Sequence, residues 1–217
     1  MLPALDRLVA QSKGRPVPGR ARMLVLAPTR ELAAQIATSA RTYAAGQHIS
    51  VGVIFGGTPV PRSIREVSRG LDVLVATPGR LLDLIDQRAL DLSALEILVL
   101  DEADQMLDLG FIHALKRIVQ IIPKQRQTLF FSATMPKSIR QLADAYLTNP
   151  AEVSVKPAAT TAVRGRARQR GRGADHRRRR AVRDSDDRPR GRARAVLRER
   201  RRGLTPSWPI SFNPSRA

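Results

Sequence analysis

The sequence predicts an α/β domain in which a parallel sheet carries helices on both faces. Short runs of Val, Leu and Ile alternate with stretches of helical periodicity between residues 23 and 155. Strands that are separated by helices are joined by crossovers and lie parallel, and the helices then cover both sides of the sheet. The apolar runs are nearly continuous instead of alternating, which indicates strands buried on both faces.

Each element has its own local signal. The spacing of Leu2, Leu5 and Leu8 is typical of a short amphipathic helix, Thr29 suits a helix cap, and Pro78 suits a first helical turn. The predicted strands are 23–27, 49–55, 72–77, 96–101 and 127–134, with a possible sixth at 151–155. The predicted helices follow Thr29 up to residue 46, cover 62–68, begin at Pro78, and cover 102–108, 111–121 and 136–147.

Composition excludes several classes of protein. The chain has no cysteine, so disulfides, thiolate zinc sites and cysteine nucleophiles are excluded, and a reducing cytoplasm is expected. No run approaches the roughly 20 apolar residues of a membrane span, and the N-terminus lacks the basic region of a signal peptide. We therefore expect a cytoplasmic monomer without a membrane partner.

Positive charge is concentrated near the C-terminus and divides the chain in two. Residues 157–217 contain 19 Arg and 5 acidic residues, and the remaining 19 Lys and Arg of the chain face 14 acidic residues in 1–156. The C-terminal part also lacks apolar periodicity, which predicts disorder. We expect a domain at 1–160 and a basic low-complexity tail at 161–217.

Polar groups follow each predicted strand. Because ligands bind beyond the carboxyl ends of parallel strands, these groups are expected on one rim of the sheet. Asp101 ends a buried strand, where a carboxylate can organise hydrated Mg²⁺, and Glu102 beside it could polarise an attacking water. Asp104 could tie this site to the hydroxyls of Ser132 and Thr134.

Five segments in this order resemble the first RecA-like domain of the DEAD-box ATP-dependent RNA helicases, over roughly residues 1–160. They are "PTRELAAQ" (28–35), "GG" (56–57), "TPGR" (77–80), "DEAD" (101–104) and "SAT" (132–134). The resemblance implies ATP and Mg²⁺ as cofactors, with Asp101 and Glu102 serving the metal and the attacking water. It implies that Asp104, Ser132 and Thr134 couple the ATP state to domain closure.

The resemblance also implies an RNA track. It is lined by Thr29, Arg30, Gly57, Thr77, Gly79 and Arg80. Arginines can fork onto phosphates, and glycines let a sugar-phosphate backbone approach closely, so sequence-independent contacts to the RNA backbone are expected. The alternative is that Thr29 and Thr77 are only helix caps and that Gly79 only makes a turn.

A phosphate loop of the form G-x-x-x-x-G-K-[ST] is missing, since no Gly-Lys pair occurs. The segment "GRPVPGRA" (14–21) has the glycine spacing, but Arg20 replaces the lysine and Ala21 has no hydroxyl. It also precedes a strand, so we interpret it as a loop. We expect a domain whose N-terminal part is missing, and a chain without autonomous ATPase or unwinding activity.

The C-terminal part also departs from the helicase pattern. An Arg/Gly/Ala run stands where the second RecA-like domain should begin. It could be a basic RNA-binding tail or the product of a frameshift, and the frameshift is favoured because a natural tail should follow the second domain. The alternatives to a helicase are a non-enzymatic RNA-binding fragment and a non-functional gene remnant.

Overall fold

The computed structural model describes residues 1–11 and 14–154, and the backbone of 194–197. Five parallel strands lie in the order β2-β3-β1-β4-β5, which confirms the predicted parallel sheet. They are β1 (Ala21–Leu26), β2 (Val51–Ile54), β3 (Leu71–Ala76), β4 (Ile97–Leu100) and β5 (Gln127–Ser132).

Seven helices in the described residues cover both faces of this sheet. Neighbouring residues on a strand point to opposite faces, so Met23 packs among the residues of α1 and α2, whereas Leu24 packs among those of the other helices. The helices on two faces are thereby confirmed. They are α1 (Leu2–Ala10), α2 (Arg30–Tyr43), α3 (Val60–Val67), α4 (Pro78–Asp86), α5 (Ala103–Asp108), α6 (Ile112–Ile121) and α7 (Lys137–Tyr146).

The strands end at nearly the same level. Leu26, the last residue of β1, is in register with Ala76 at the end of β3 and with Leu100 at the end of β4. Ile54 of β2 is in turn level with Ala76. The loops that leave these strands therefore begin side by side and form the rim on which the sequence placed its functional residues.

The outer edge of β5 differs from the rest of the sheet. It pairs antiparallel with β7 (Arg194–Leu197), which also pairs antiparallel with β6 (Ala151–Ser154). The possible sixth strand is thus present but does not join the parallel strands. Four residues of the basic segment form a strand, contrary to the expectation for them, and the other residues of 161–217 lie outside the described part. No helix among the described residues is long and apolar enough to cross a membrane.

A largely buried arginine joins α1 to the amino end of the sheet. Arg22 donates from Nε to Glu96 (2.9 Å) and from Nη1 to Asp72 (3.1 Å), and it also donates to the carbonyls of Leu8 and Gln11. Only 12% of the Arg22 side chain and 3% of the Asp72 side chain are exposed. The buried Asp72 carboxylate also accepts from the backbone N–H and the hydroxyl of Ser50, and Arg22 supplies its counter-charge.

We expect Arg22→Ala to lower the free energy of unfolding by roughly 3 kcal/mol, since it leaves a buried carboxylate without its counter-charge. Urea unfolding of the full chain measures the change. Arg117→Ala is the matched control, because Arg117 pairs with Asp86 at the surface, where both side chains are about half exposed. Equal stability losses in the two variants would contradict the prediction.

Candidate functional site

The predicted site residues all lie on the rim or in the first turn of a rim helix. Thr29 precedes α2, Gly57 lies between β2 and α3, and Thr77 precedes α4. The acidic group follows β4 and the Ser-Ala-Thr segment ends β5. The structure therefore brings the five sequence segments together, although each strand is separated from the next by a helical connection.

Asp101 and Glu102 form the centre of the acidic group. Asp101 continues β4 and donates its backbone N–H to the carbonyl of Leu26 (3.0 Å), which holds it against the end of β1. Burial raises the pKa of the Asp101 carboxyl. The pKa of Glu102 is raised by burial first and then by the charges of Asp101 and Asp104. This corner of the rim thus concentrates negative charge that a cation would compensate.

The backbone turns sharply at Glu102. Its φ of 51° and ψ of 51° lie in the left-handed region, which is uncommon for residues other than glycine. Its N–H accordingly donates to the side chain of Asp101 (3.1 Å) instead of extending the strand. The sequence did not reveal this strained conformation, which places two successive carboxylates at the start of α5.

Asp104 connects the acidic loop to the neighbouring strand. Its Oδ2 accepts from the backbone N–H of Thr134 (2.8 Å) and from the Thr134 hydroxyl (2.9 Å). Ser132 is buried and donates its hydroxyl to the carbonyl of Thr134 (2.7 Å). The expected proximity of these three residues is present, with Ser132 shaping the loop while Thr134 contacts the carboxylate.

Arg30 is exposed, and its guanidinium lies beside Phe55 and Gly57 of the loop that follows β2. Its guanidinium carbon is 5.3 Å from the ring centre of Phe55, a cation–π distance. Gly57 has a φ of +78°, and a Cβ on it would lie 2.6 Å from Arg30 Nη1. Gly57 therefore permits the turn, and its lack of a side chain leaves room for the Arg30 guanidinium. Phe55 was not identified from the sequence, which gives no sign of a contact across two loops.

The cap interpretation of Thr29 is confirmed, because its hydroxyl accepts from the backbone N–H of Leu32 (3.2 Å). Thr77 also stands before a helix, but its side chain makes no cap hydrogen bond. Gly79 is half-buried, and a Cβ on it would meet no atom within 4 Å. The space above the first turn of α4 is therefore open.

Arg80 differs most from its expected arrangement. It is 7% exposed, and its guanidinium is hydrogen-bonded to Thr58 and Ser63 instead of facing solvent. Thr58 and Ser63 were not identified as functional from the sequence. Thr58 directly follows the glycine pair, but nothing in the sequence marks a partner 22 positions away.

The residues present fit Mg²⁺ better than a metal held entirely by protein. No group of three or more His, Cys, Asp or Glu side chains suited to a metal occurs in the described part of the chain. Mg²⁺ retains several waters and needs only one or two carboxylates, with nucleotide phosphates as further ligands. The half-buried carboxylate of Asp101 matches this requirement.

The "GRPVPGRA" segment does not provide a phosphate loop on this rim. Its residues 14–19 form bends and turns before β1, as interpreted from the sequence. Gly19 donates to the carbonyl of Val67, and Arg20 pairs with Asp91, so the segment lies at the amino end of the sheet. No Gly-x-x-x-x-Gly segment in the sequence is followed by a lysine.

The five-stranded parallel sheet with helices on both faces is that of a RecA-like domain. A sequence model of the DEAD/DEAH box helicases matches residues 1–142, and the chain belongs to this family. RNA helicase CrhR of Synechocystis sp. is 40% identical over 163 residues, which are 75% of this chain and 32% of that protein. DEAD-box ATP-dependent RNA helicase 14 of Arabidopsis thaliana is 47% identical over 133 residues, which are 61% of this chain and 22% of that protein.

A solved structure agrees with this assignment. The yeast DEAD-box splicing factor Prp28 superposes with a TM-score of 0.60 at 35% identity, over 67% of this chain and 36% of that chain. The chain thus spans about a third or less of the length of these relatives.

We expect Asp101→Asn to stabilise the metal-free protein at pH 7, since the raised pKa means that the ionised carboxyl is unfavourable in the folded state. The stabilisation by asparagine should shrink as the pH falls towards the pKa of an unfolded aspartate. The Asp101 carboxyl of the folded wild type is then protonated, so it is uncharged like the asparagine. Asparagine retains an oxygen that can accept from the Glu102 N–H.

Thermal unfolding in EDTA at pH 7 and at pH 4 measures this effect. Asp144→Asn, at an exposed position of α7, controls for the change in net charge. A lower melting temperature for Asp101→Asn than for wild type at pH 7 would contradict the assignment of burial as the cause.

Proposed function

We propose that this chain supplies the RNA-binding rim and the magnesium- and water-organising carboxylates of a DEAD-box ATP-dependent RNA helicase. The observation that carries the proposal is the convergence of five loops on one rim, with Asp101 and Glu102 at one part and Arg30 and Gly57 at another. Membership of the family and the RNA helicases among its relatives support it.

Asp101 would hold Mg²⁺ through water, and the ion would neutralise charge on the transferred phosphate. Glu102 would accept a hydrogen bond from the attacking water and orient it. Asp104 contributes by fixing the neighbouring loop through Thr134. Because that loop is bonded to the acidic group, a change at the nucleotide would reach Ser132 and Thr134, which is how the ATP state would be coupled to domain closure.

RNA would lie along the loops that follow β1, β2 and β3. Arg30 is exposed and positively charged, and the open space at Gly79 allows a sugar-phosphate backbone to approach the first turn of α4. Thr29, Gly57 and Thr77 shape or border the same track. Contacts of this kind recognise the backbone and not the bases, so binding would be independent of sequence.

The 217 residues are proposed to be inactive as an ATPase and as a helicase without a phosphate-binding loop from elsewhere. No Gly-Lys pair occurs in them, and carboxylates alone repel a nucleotide triphosphate. The second candidate function is therefore RNA binding without catalysis. The net charge of +19 favours it, because positive charge alone supports non-specific binding.

We expect Arg30→Ala to weaken binding of single-stranded oligouridylate about tenfold, as for the loss of a charged hydrogen bond. The slope of log affinity against log salt should fall by about 0.7, as for one phosphate contact on a single strand. Fluorescence anisotropy of a labelled oligonucleotide in a salt series measures both.

Arg69→Ala is the matched control, because Arg69 is exposed at the amino end of β3, opposite the rim. If both variants bind as the wild type does while deletion of 163–217 abolishes binding, the rim does not bind RNA and the basic tail does.

We expect no ATP turnover above background from the full chain with Mg²⁺ and RNA, because its sequence contains no Gly-Lys pair of a phosphate-binding loop. A phosphate-release assay of the wild type and of Glu102→Gln should give the same result. Mg²⁺-dependent turnover that RNA stimulates and Glu102→Gln abolishes would show an active ATPase and overturn the proposed inactivity.

A further inference from the structure

The guanidinium of Arg80 is buried and makes its hydrogen bonds within the protein. Nη1 donates to the hydroxyls of Thr58 (3.0 Å) and Ser63 (2.8 Å), and Nη2 donates to the carbonyl of Thr58 (2.9 Å). Nε lies 3.5 Å from a carboxylate oxygen of Asp83. At least three of its five N–H donors are therefore satisfied by other residues, and the side chain is 7% exposed.

Thr58 connects Arg80 to the turn that follows β2. Its hydroxyl donates to the carbonyl of Phe55 (2.9 Å) while it accepts from Arg80. One oxygen thereby closes the turn 55–58 and joins it to α4. The Thr58 hydroxyl thus acts as a donor and as an acceptor at once. An apolar side chain of the same shape could make neither hydrogen bond.

The restrained turn also places Arg30. Gly57 lies inside it with a φ of +78° and stands directly against the guanidinium of Arg30, and Phe55 provides the ring on which that guanidinium rests. A displacement of the turn would therefore change the position of the exposed arginine. The contacts run from Arg80 through Thr58 and the turn to Arg30.

We propose that Thr58 and Arg80 are positioning residues for RNA binding and that Arg80 is not itself a ligand of the RNA phosphates. The inference rests on the proposed function, since it assigns these two residues to the RNA track of that rim. A phosphate contact by Arg80 would require its buried guanidinium to give up hydrogen bonds to Thr58 and Ser63, whereas Arg30 is already exposed.

An uncharged substitution separates the two roles. Thr58→Val keeps the shape of the side chain but removes the hydroxyl, so a positioning role predicts weaker RNA binding. If Arg80 contacts phosphate directly, the same change leaves its charge in place and releases one N–H, so binding should be unchanged or tighter. Thr58→Ser retains the hydroxyl and should restore binding.

The experiment uses the full chain and oligouridylate that contains 4-thiouridine. Photo-crosslinks to residues 23–30 and 42–62 are quantified by mass spectrometry, which distinguishes the rim from the basic tail. We expect Thr58→Val to reduce these crosslinks about fivefold, as for the loss of one buried hydrogen bond, and Thr58→Ser to behave as the wild type. Arg80→Gln combined with Thr58→Val should add little further loss, because both act through one contact.

Thr42→Val is the matched control, since the Thr42 hydroxyl bonds only to the carbonyl of Thr38 at the exposed end of α2 among the described residues. Thermal unfolding shows whether each variant is folded at the assay temperature. If Arg80→Gln is unfolded, the comparison of Thr58→Val with Thr58→Ser still distinguishes the two roles. Wild-type crosslinking by Thr58→Val together with a loss in Arg80→Gln would overturn the inference. Absence of wild-type crosslinks to both segments would instead overturn the proposed function, and the inference with it.

Discussion

The parallel register of five strands is the constraint on which the rest of the molecule depends. Leu26, Ala76 and Leu100 end their strands at one level, so the loops that follow must share a rim. Apart from Ser132 at the end of β5, the strands supply no functional group themselves. They bury both faces and deliver Asp101, Thr77 and their neighbours to a common surface, which is how residues distant in sequence come to form one site.

The charged groups at the two ends of the sheet differ in the partners that the protein gives them. At the amino end, Arg22 is surrounded by Asp72, Glu96 and two carbonyls, so its desolvation is compensated. At the carboxyl end, burial raises the pKa of Asp101, and burial followed by the charges of Asp101 and Asp104 raises the pKa of Glu102, so the ionised carboxylates are unfavourable there. Such uncompensated charge is common at functional sites, where a ligand supplies what the protein lacks.

The strands, the helices and the rim could be predicted because their signals are local: apolar runs, Thr29 as a cap and Pro78 in a first turn. Most contacts within the site could not, although the link between Asp104 and Thr134 was expected. Arg80 has the same sequence pattern whether it faces a phosphate or Thr58, and only the packing of α4 against the preceding loop decides between them. The left-handed backbone of Glu102 and the antiparallel pairing of β6 likewise depend on tertiary context, which propensity does not encode.

The two hydrogen bonds from Thr134 to one oxygen of Asp104 join loops that follow neighbouring strands. Movement of one loop without the other would deprive the same carboxylate oxygen of both donors. Under the proposed function, a molecule that favours one arrangement at the end of β5 would therefore also bias the arrangement at the start of α5.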